Sequence, residues 1–324
     1  MYFRLTVLLL LSILPGCVPS FLITPVSSNQ SLREVTADEG GGGLLGGGSK
    51  IVIVEVEGML LNAKTGGFLQ AQENDVSLFA QQLKKAEKDP AVKAIVLRIN
   101  SPGGTVSASD LMYNEVLRFK ERSKKVVVAS AQDIVASGAY YVACSADKIV
   151  VQPTSVIGSI GVIFNTFDIS GTLDKVGART NVIKSGPLKD MASPFKPMDD
   201  NERAVMQGMV DEYYGLFKKI VQSNRKLDST TLAAVSDGRV FTGSRSVELH
   251  LADQTGLLPD AIQLAKDLSH SPGARTVLYK RPYGYSGSIY AHSQDEPPRA
   301  NVTELNLIAP RTFLPTGFYY LWNP

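Results

Sequence analysis

From Lys50 to about Leu268 the apolar positions switch between two periods. Ile51-Val-Ile-Val-Glu-Val56 and Val92 to Ile99 are short, nearly continuous apolar runs, the pattern of strands buried on both faces. Between them Val76, Phe79, Leu83 and Ala86 recur at helical spacing after Asp75, and Asp89-Pro90 ends that helix. Proline lacks an N–H and disfavours a helical residue before it. The same reading predicts a helix over Asp110 to Arg122, a strand over Lys125 to Ala131, a helix over Ser137 to Ala146 and a strand over Lys148 to Val151. A long amphipathic helix runs from about Asp199 to Asn224, with Val205, Met209, Tyr213, Leu216 and Ile220 on one face. Repeated strand, helix, strand units predict a parallel α/β core with right-handed crossovers.

The two ends of the chain break this pattern. Arg4 precedes an apolar run from Leu5 to Leu14, too short for the roughly 20 residues of a comfortable membrane span and typical of an export signal. Leu14-Pro15-Gly16-Cys17 resembles a bacterial lipobox, which implies that Cys17 is acylated and holds the protein to a membrane on its exported, periplasm-facing side; an ordinary secretory signal is the alternative. Residues 18–49 are rich in Ser, Thr, Pro and Gly and read as a spacer. The expected organisation is a signal segment 1–17, a linker 18–49, a catalytic domain 50–271 and a C-terminal extension 272–324. The extension ends in Gly317-Phe-Tyr-Tyr-Leu-Trp322. Such a segment can pack on a neighbouring subunit, lie at a membrane interface or close the chain's own core as a strand.

The chain has 324 residues, 44% of them hydrophobic, so it can bury a substantial core. Its 33 basic and 31 acidic residues give a net charge of +2, with no basic stripe interleaved with aromatics, which sets nucleic-acid binding aside. Cys17 and Cys144 are the only cysteines, and with Cys17 committed to lipid no intramolecular disulfide remains.

Candidate chemistry gathers where strands end. Arg98-Ile-Asn-Ser-Pro-Gly-Gly104 closes a buried strand in a tight turn, and glycine amides there can approach an oxyanion with no Cβ in the way. Ser137 starts a helix, with the Gly138 amide as a second donor. A serine nucleophile needs a base, yet His250, His270 and His292 all lie toward the C-terminus. Lys184 and Lys189 are the remaining candidates; lysine serves as a base only where desolvation brings its pKa down from about 10 toward the working pH. Taken singly, each feature has an ordinary reading: a turn, a helix N-cap, a solvated charge.

Taken in order, Arg98-Ile-Asn-Ser-Pro-Gly-Gly104, Ala136-Ser-Gly-Ala-Tyr-Tyr141, Ala146-Asp-Lys-Ile-Val150, Ile157-Gly-Ser-Ile-Gly-Val162 and Lys184-Ser-Gly-Pro-Leu-Lys-Asp190 resemble the bacterial signal peptide peptidase A family of Ser-Lys serine peptidases. The resemblance covers roughly Ile51 to Leu268 and implies an α/β fold of the Clp protease and crotonase type, with repeated β-β-α units. It implies Ser137 as nucleophile, Lys189 as general base, Gly104 and Gly138 as the oxyanion amides, and Ser159 as a serine that orients the lysine, leaving Lys184 a bystander. It further implies a homo-oligomer in which Ser and Lys can come from different subunits, cleaved signal peptides and other short apolar peptides as substrates, and no metal or nucleotide cofactor. Asp237-Gly-Arg-Val-Phe-Thr-Gly243 matches a later block of the family, although Ser246 and His250 stand where small residues are usual. Three other readings remain: a crotonase-type acyl-CoA enzyme, which the export signal opposes; a catalytically silent scaffold lipoprotein; and a protease that cuts one specific membrane protein.

Overall fold

The computed structural model describes residues 31–37, 48–63, 74–280 and 316–322. Cys17, the export segment and most of the spacer lie outside the described residues. The described elements, in chain order, are β1 (Arg33–Thr36), β2 (Lys50–Leu60), α1 (Asp75–Lys88), β3 (Val92–Thr105), α2 (Val106–Ser123), β4 (Val126–Ala136), α3 (Gly138–Ala143), β5 (Lys148–Val151), β6 (Val156–Gly158), β7 (Ile163–Asn165) and α4 (Ser170–Lys175). They continue with α5 (Asp200–Arg225), α6 (Ser229–Val235), β8 (Val240–Thr242), α7 (Gly243–Glu248), β9 (Gln254–Thr255), α8 (Leu258–Leu268), β10 (Arg275–Lys280) and β11 (Gly317–Leu321).

The strands join in the order β1-β10-β2-β3-β4-β5-β9. From β10 to β9 every neighbour is parallel, and β1 closes the edge antiparallel to β10. Because side chains alternate faces along a strand, Val52, Val54, Val56, Ile95, Leu97 and Ile99 enter one core while Ile51, Ile53, Ala94 and Val96 enter another. Phe79 and Leu83 of α1 and Met112, Val116 and Phe119 of α2 cover the first face. Leu258, Ala261, Ile262 and Ala265 of α8 cover the second. The result is a three-layer α/β domain with a mostly parallel sheet, as the apolar runs predict.

Local chemistry sets the helix ends. Asn74, one residue before Asp75, caps α1 by accepting from the Ser77 N–H at 3.0 Å. Asp199 and Glu202 form a reciprocal capping box at the start of α5. The face of α5 matches the expected one in part: Tyr213 and Ile220 pack against the core beside buried Phe217 and Val221, while Val205 and Leu216 are exposed. The core contact of α5 runs through Tyr213, Phe217, Ile220 and Val221, and Val205 and Leu216 lie off that line.

Three further differences come from pairing over long distances. Residues 33–36, expected within the spacer, form the edge strand β1. Glu34 anchors it through Lys50 at 2.8 Å and Arg275 at 2.7 Å, and Lys50 also reaches Asp89 at 2.9 Å. Charge complementarity, not an apolar run, places this strand. The core also continues past 271, because β10 lies beside β2 with Val277 and Leu278 buried. The terminal aromatic segment is a strand of the chain's own sheet, β11. Among the described residues, no helix is long and apolar enough to cross a membrane.

Candidate active site

The end of β3 forms one wall of the site. Pairing with β4 slips between Ile99 and Ser101, and the Asn100 side chain bridges the gap by accepting from the Ile134 N–H at 3.1 Å. Ser101 Oγ accepts from the Gly103 N–H at 3.1 Å, which tightens the turn. Gly103 has φ of +101°, a conformation that disfavours other residues. A Cβ there would overlap the Tyr320 carbonyl oxygen and come within 2.7 Å of the Gly138 nitrogen.

The second wall is the turn from β4 into α3. Ser137 is held at φ 52°, ψ −118°, a backbone region that is costly for a residue with a side chain. Its N–H donates to the Gly158 carbonyl at 2.7 Å, and its carbonyl accepts from the Tyr141 N–H at 2.9 Å. The parallel pairing of Ala136 with Gly158 sets the first of these bonds. Ser137 is 1% exposed and its Oγ makes no hydrogen bond. Buried polar atoms nearly always find partners, so an unpartnered hydroxyl on a strained backbone marks the point where chemistry can happen.

The helix behind Ser137 is short but firmly fixed. Tyr140 donates its hydroxyl to the Leu251 carbonyl at 2.8 Å, and Tyr141 donates to Asp110 Oδ1 at 2.8 Å. Burial pushes both phenols well above their ordinary pKa, the bonded Asp110 adding to the effect at Tyr141. Both therefore remain protonated donors. Burial likewise pushes the Cys144 thiol up to about 12, so it is not a thiolate nucleophile near neutral pH.

The two walls meet at Gly104 and Gly138. A Cβ on Gly138 would overlap Ser109 Oγ and lie 3.0 Å from the Tyr320 carbonyl oxygen and 3.2 Å from the Gly104 nitrogen. A Cβ on Gly104 would overlap the Leu60 carbonyl. Glycine is thus required at 104 for β3 to lie against Leu60 of β2 and at 138 for the two walls to approach, which brings Gly138 against the Gly104 nitrogen. Ser159 follows Gly158, with φ of +51° and its N–H donated to the Arg239 carbonyl at 2.8 Å. Through this bond and the β6–β8 pairing, the Asp237 to Gly243 block supports the same corner.

The lysines lie elsewhere, on the segment between α4 and α5. Lys189 is exposed and does not hydrogen-bond the Ser137 hydroxyl within one chain. Lys184 is bound to Asp190 at 2.7 Å and to the Pro187 carbonyl at 2.9 Å. A single chain therefore brings Ser137, Gly104, Gly138 and Ser159 into one corner and leaves Lys189 outside it. Sequence reasoning passed over Gly103, Asn100 and Tyr320. The Gly-Gly doublet held a signal for Gly103, whereas nothing local connects Tyr320 to the site.

The fold is Clp-protease-like, and its corner presents a buried serine beside two glycines. Residues 55–158 match the Clp protease family and residues 119–271 match Peptidase family S49. The chain is 31% identical over 285 residues to the protein named "Putative signal peptide peptidase SppA" of Enterococcus faecium, covering 84% of this chain and 81% of that one. It is 36% identical over 220 residues to a protease of Synechocystis sp., covering 68% and 74% of the two chains. It belongs to the S49 signal peptide peptidase A family and is a serine-type peptidase.

Proposed function

We propose that this protein is an envelope endopeptidase that cleaves signal peptides and other short apolar peptides with a Ser137–Lys189 dyad completed between copies of the chain. The observation that carries this reading is the Ser137 hydroxyl, buried and unpartnered on a strained turn beside the Gly104 and Gly138 amides. Neutral Lys189 from a neighbouring copy takes the Ser137 proton, and the hydroxyl attacks the scissile carbonyl. The Gly104 and Gly138 amides stabilise the oxyanion. The lysine then protonates the leaving amine, and water activated by the same lysine hydrolyses the acyl-enzyme. Ser159 orients the lysine.

A lysine base has to be desolvated, and exposed Lys189 meets that need once a second copy covers its segment. Val176, Val182, Ile183 and Phe195 are exposed on that stretch and favour such cover. Acylation of Cys17 would hold the assembly at the bilayer, where released signal peptides are found.

The test uses full-length protein, a fluorogenic apolar peptide and the variants Ser137→Ala, Lys189→Ala and Lys184→Ala. Loss in the first two with activity kept in the third is expected. Mixing Ser137→Ala with Lys189→Ala and re-forming the oligomer should restore part of the activity, because the mixed assembly contains sites with both residues intact. Equal activity in all variants would sink the dyad, and no recovery on mixing would sink its completion between copies. For the anchor, labelled fatty acid should appear on Cys17; an unmodified N-terminus would mean simple secretion.

A further inference from the structure

The segment that carries Lys189 also carries a chain of charges that ends inside the fold. Asp190 turns inward, its side chain 14% exposed on a stretch otherwise open to solvent, and it accepts from Lys184 at 2.7 Å and pairs with Lys196 at 3.4 Å. Lys196 in turn pairs with Glu202, which is buried in the first turn of α5. Both oxygens of Glu202 are in use: one holds Lys196, and the other accepts from the Asp199 N–H at 3.4 Å. The Glu202 N–H donates to Asp199 Oδ1 at 2.9 Å, so the carboxylate is locked to the helix start. A buried carboxylate left without its cation is strongly destabilising, and here the cation is Lys196. The bond to Glu202 and the Asp190 charge hold the Lys196 ammonium above the ordinary lysine range, so it stays charged.

Backbone bonds fix the same segment from its other side. The Thr166 hydroxyl donates to the Ala192 carbonyl at 3.2 Å and the Ile169 N–H to the Pro194 carbonyl at 2.8 Å, which ties the turn after Asp190 to the stretch leaving β7. This bears on the base. Adjacent Cα atoms are about 3.8 Å apart and a lysine stem is long and flexible, so the Lys189 ammonium can reach the carboxylate of its neighbour Asp190. Pairing with a carboxylate favours the ammonium, and an ammonium accepts no proton. The attraction strengthens as water leaves, that is, when a second copy covers the segment. Lys184 and Lys196 are the charges that face Asp190, and both already engage it. Asp168, before α4, and Arg203, on α5, line the cavity beside this cluster and are opposite in sign.

We propose that Lys196, anchored by Glu202, is a positioning residue for the base: it engages the Asp190 carboxylate and so leaves Lys189 unpaired, free to serve as the neutral proton acceptor. This inference rests on the peptidase reading above. Lys184 is a second guard with no buried partner, and its loss leaves Lys196 in place, so Lys184→Ala keeps its activity.

The experiment follows kcat and KM between about pH 6 and 10 for the full-length protein, Lys196→Met, Lys196→Arg and the double variant Lys196→Met/Asp190→Asn, at concentrations where sedimentation shows the assembly intact. Lys196→Met should move the rising limb of kcat to higher pH by about one unit, a roughly tenfold loss of turnover on its acid side, with KM within about twofold. The double variant removes the freed carboxylate and should regain the original limb, as should Lys196→Arg, which keeps the cation. Should Lys196→Met melt early because Glu202 is left buried without its cation, Lys196→Met/Glu202→Gln removes that charge and should show the same displaced limb. A limb that stays in place while kcat falls equally at every pH, or a displaced limb that persists in the double variant, would overturn the inference and leave the peptidase reading standing. Turnover that survives Lys189→Ala would instead bring down the dyad on which the inference rests.

Discussion

The corner that holds Ser137 and the segment that holds Lys189 are built in opposite ways. Around Ser137 nearly everything is backbone against backbone: Gly103, Gly104 and Gly138 admit no Cβ, and the Ser137 turn is pinned by β6 and by tyrosines bonded to distant elements. Between α4 and α5 the chain is exposed, its apolar side chains reach solvent, and its polar contacts are short-range ones such as Lys184 to Asp190 and Lys196 to Asp190. A nucleophile and its oxyanion donors must be fixed to within a fraction of an ångström before the substrate arrives. A base can be delivered later. The contrast fits the proposal that the Ser137 corner is finished within one chain while its proton acceptor is supplied by a second copy.

The largest effects should separate these two regions. Ser137→Ala and Lys189→Ala should each reduce turnover by on the order of 10³-fold or more, as removal of members of a unit that acts together does. Mixing the two variants should restore activity that neither shows alone, and turnover of the unaltered protein should fall on dilution through the oligomer dissociation range. Sedimentation alongside turnover checks this; turnover independent of assembly would erase the distinction between the two regions.

Gly138→Ala comes next. The new Cβ would overlap Ser109 Oγ and press toward the Gly104 nitrogen, so the two amides would be forced apart. Loss of one oxyanion donor is worth on the order of 10²-fold or more in kcat, and thermal stability should fall as well because the wall is rigid. Ser109→Ala in the Gly138→Ala background removes the nearest obstacle and should recover stability more than turnover. Recovery of turnover alone would mean that the amides were never the reacting donors.

The same contrast decides what the sequence could reveal. The placement of Gly104 and Gly138 beside Ser137 was legible because the demands on it are local: a strand end, a tight turn, no Cβ. The alternating strands and helices of the central domain were legible for the same reason. β1 and β10 were not, and β11 was one of three readings of the aromatic tail, since each is placed by partners far along the chain: Glu34 by Lys50 and Arg275, and Tyr320 by Gly104 and Tyr141. The face of α5 was read only in part, Tyr213 and Ile220 packing on the core, because apolar periodicity reports a stripe and not what covers it, and Val205 and Leu216 lie on helix surface that this chain leaves bare. Lys189 stands exposed on a segment whose cover a single sequence does not specify.

The smallest expected effect concerns acid. Asp253 ties β5 to α5, accepting from the Ile149 N–H at 2.8 Å and pairing with Arg225 at 2.9 Å and Lys148 at 3.1 Å. Burial works to raise its pKa, but the Ile149 bond and the Arg225 charge outweigh it and hold the carboxyl below the usual range. A carboxyl whose pKa is depressed on folding stabilises the fold above its unfolded value, about 3.9, and that contribution is lost as pH falls through the lower folded value. Melting temperature should therefore drop below about pH 4, and Asp253→Asn should lower it at pH 7 while flattening the acid decline. Asp190, in the other region, also has a lowered pKa, through its bond to Lys184. Its partners Lys184 and Lys196 are about a third exposed, however, and screening leaves little of that pairing as stability. Asp190→Asn should leave the acid decline unchanged; an equal flattening from both substitutions would mean that the segment between α4 and α5 is as firmly integrated into the fold as the corner that holds Ser137.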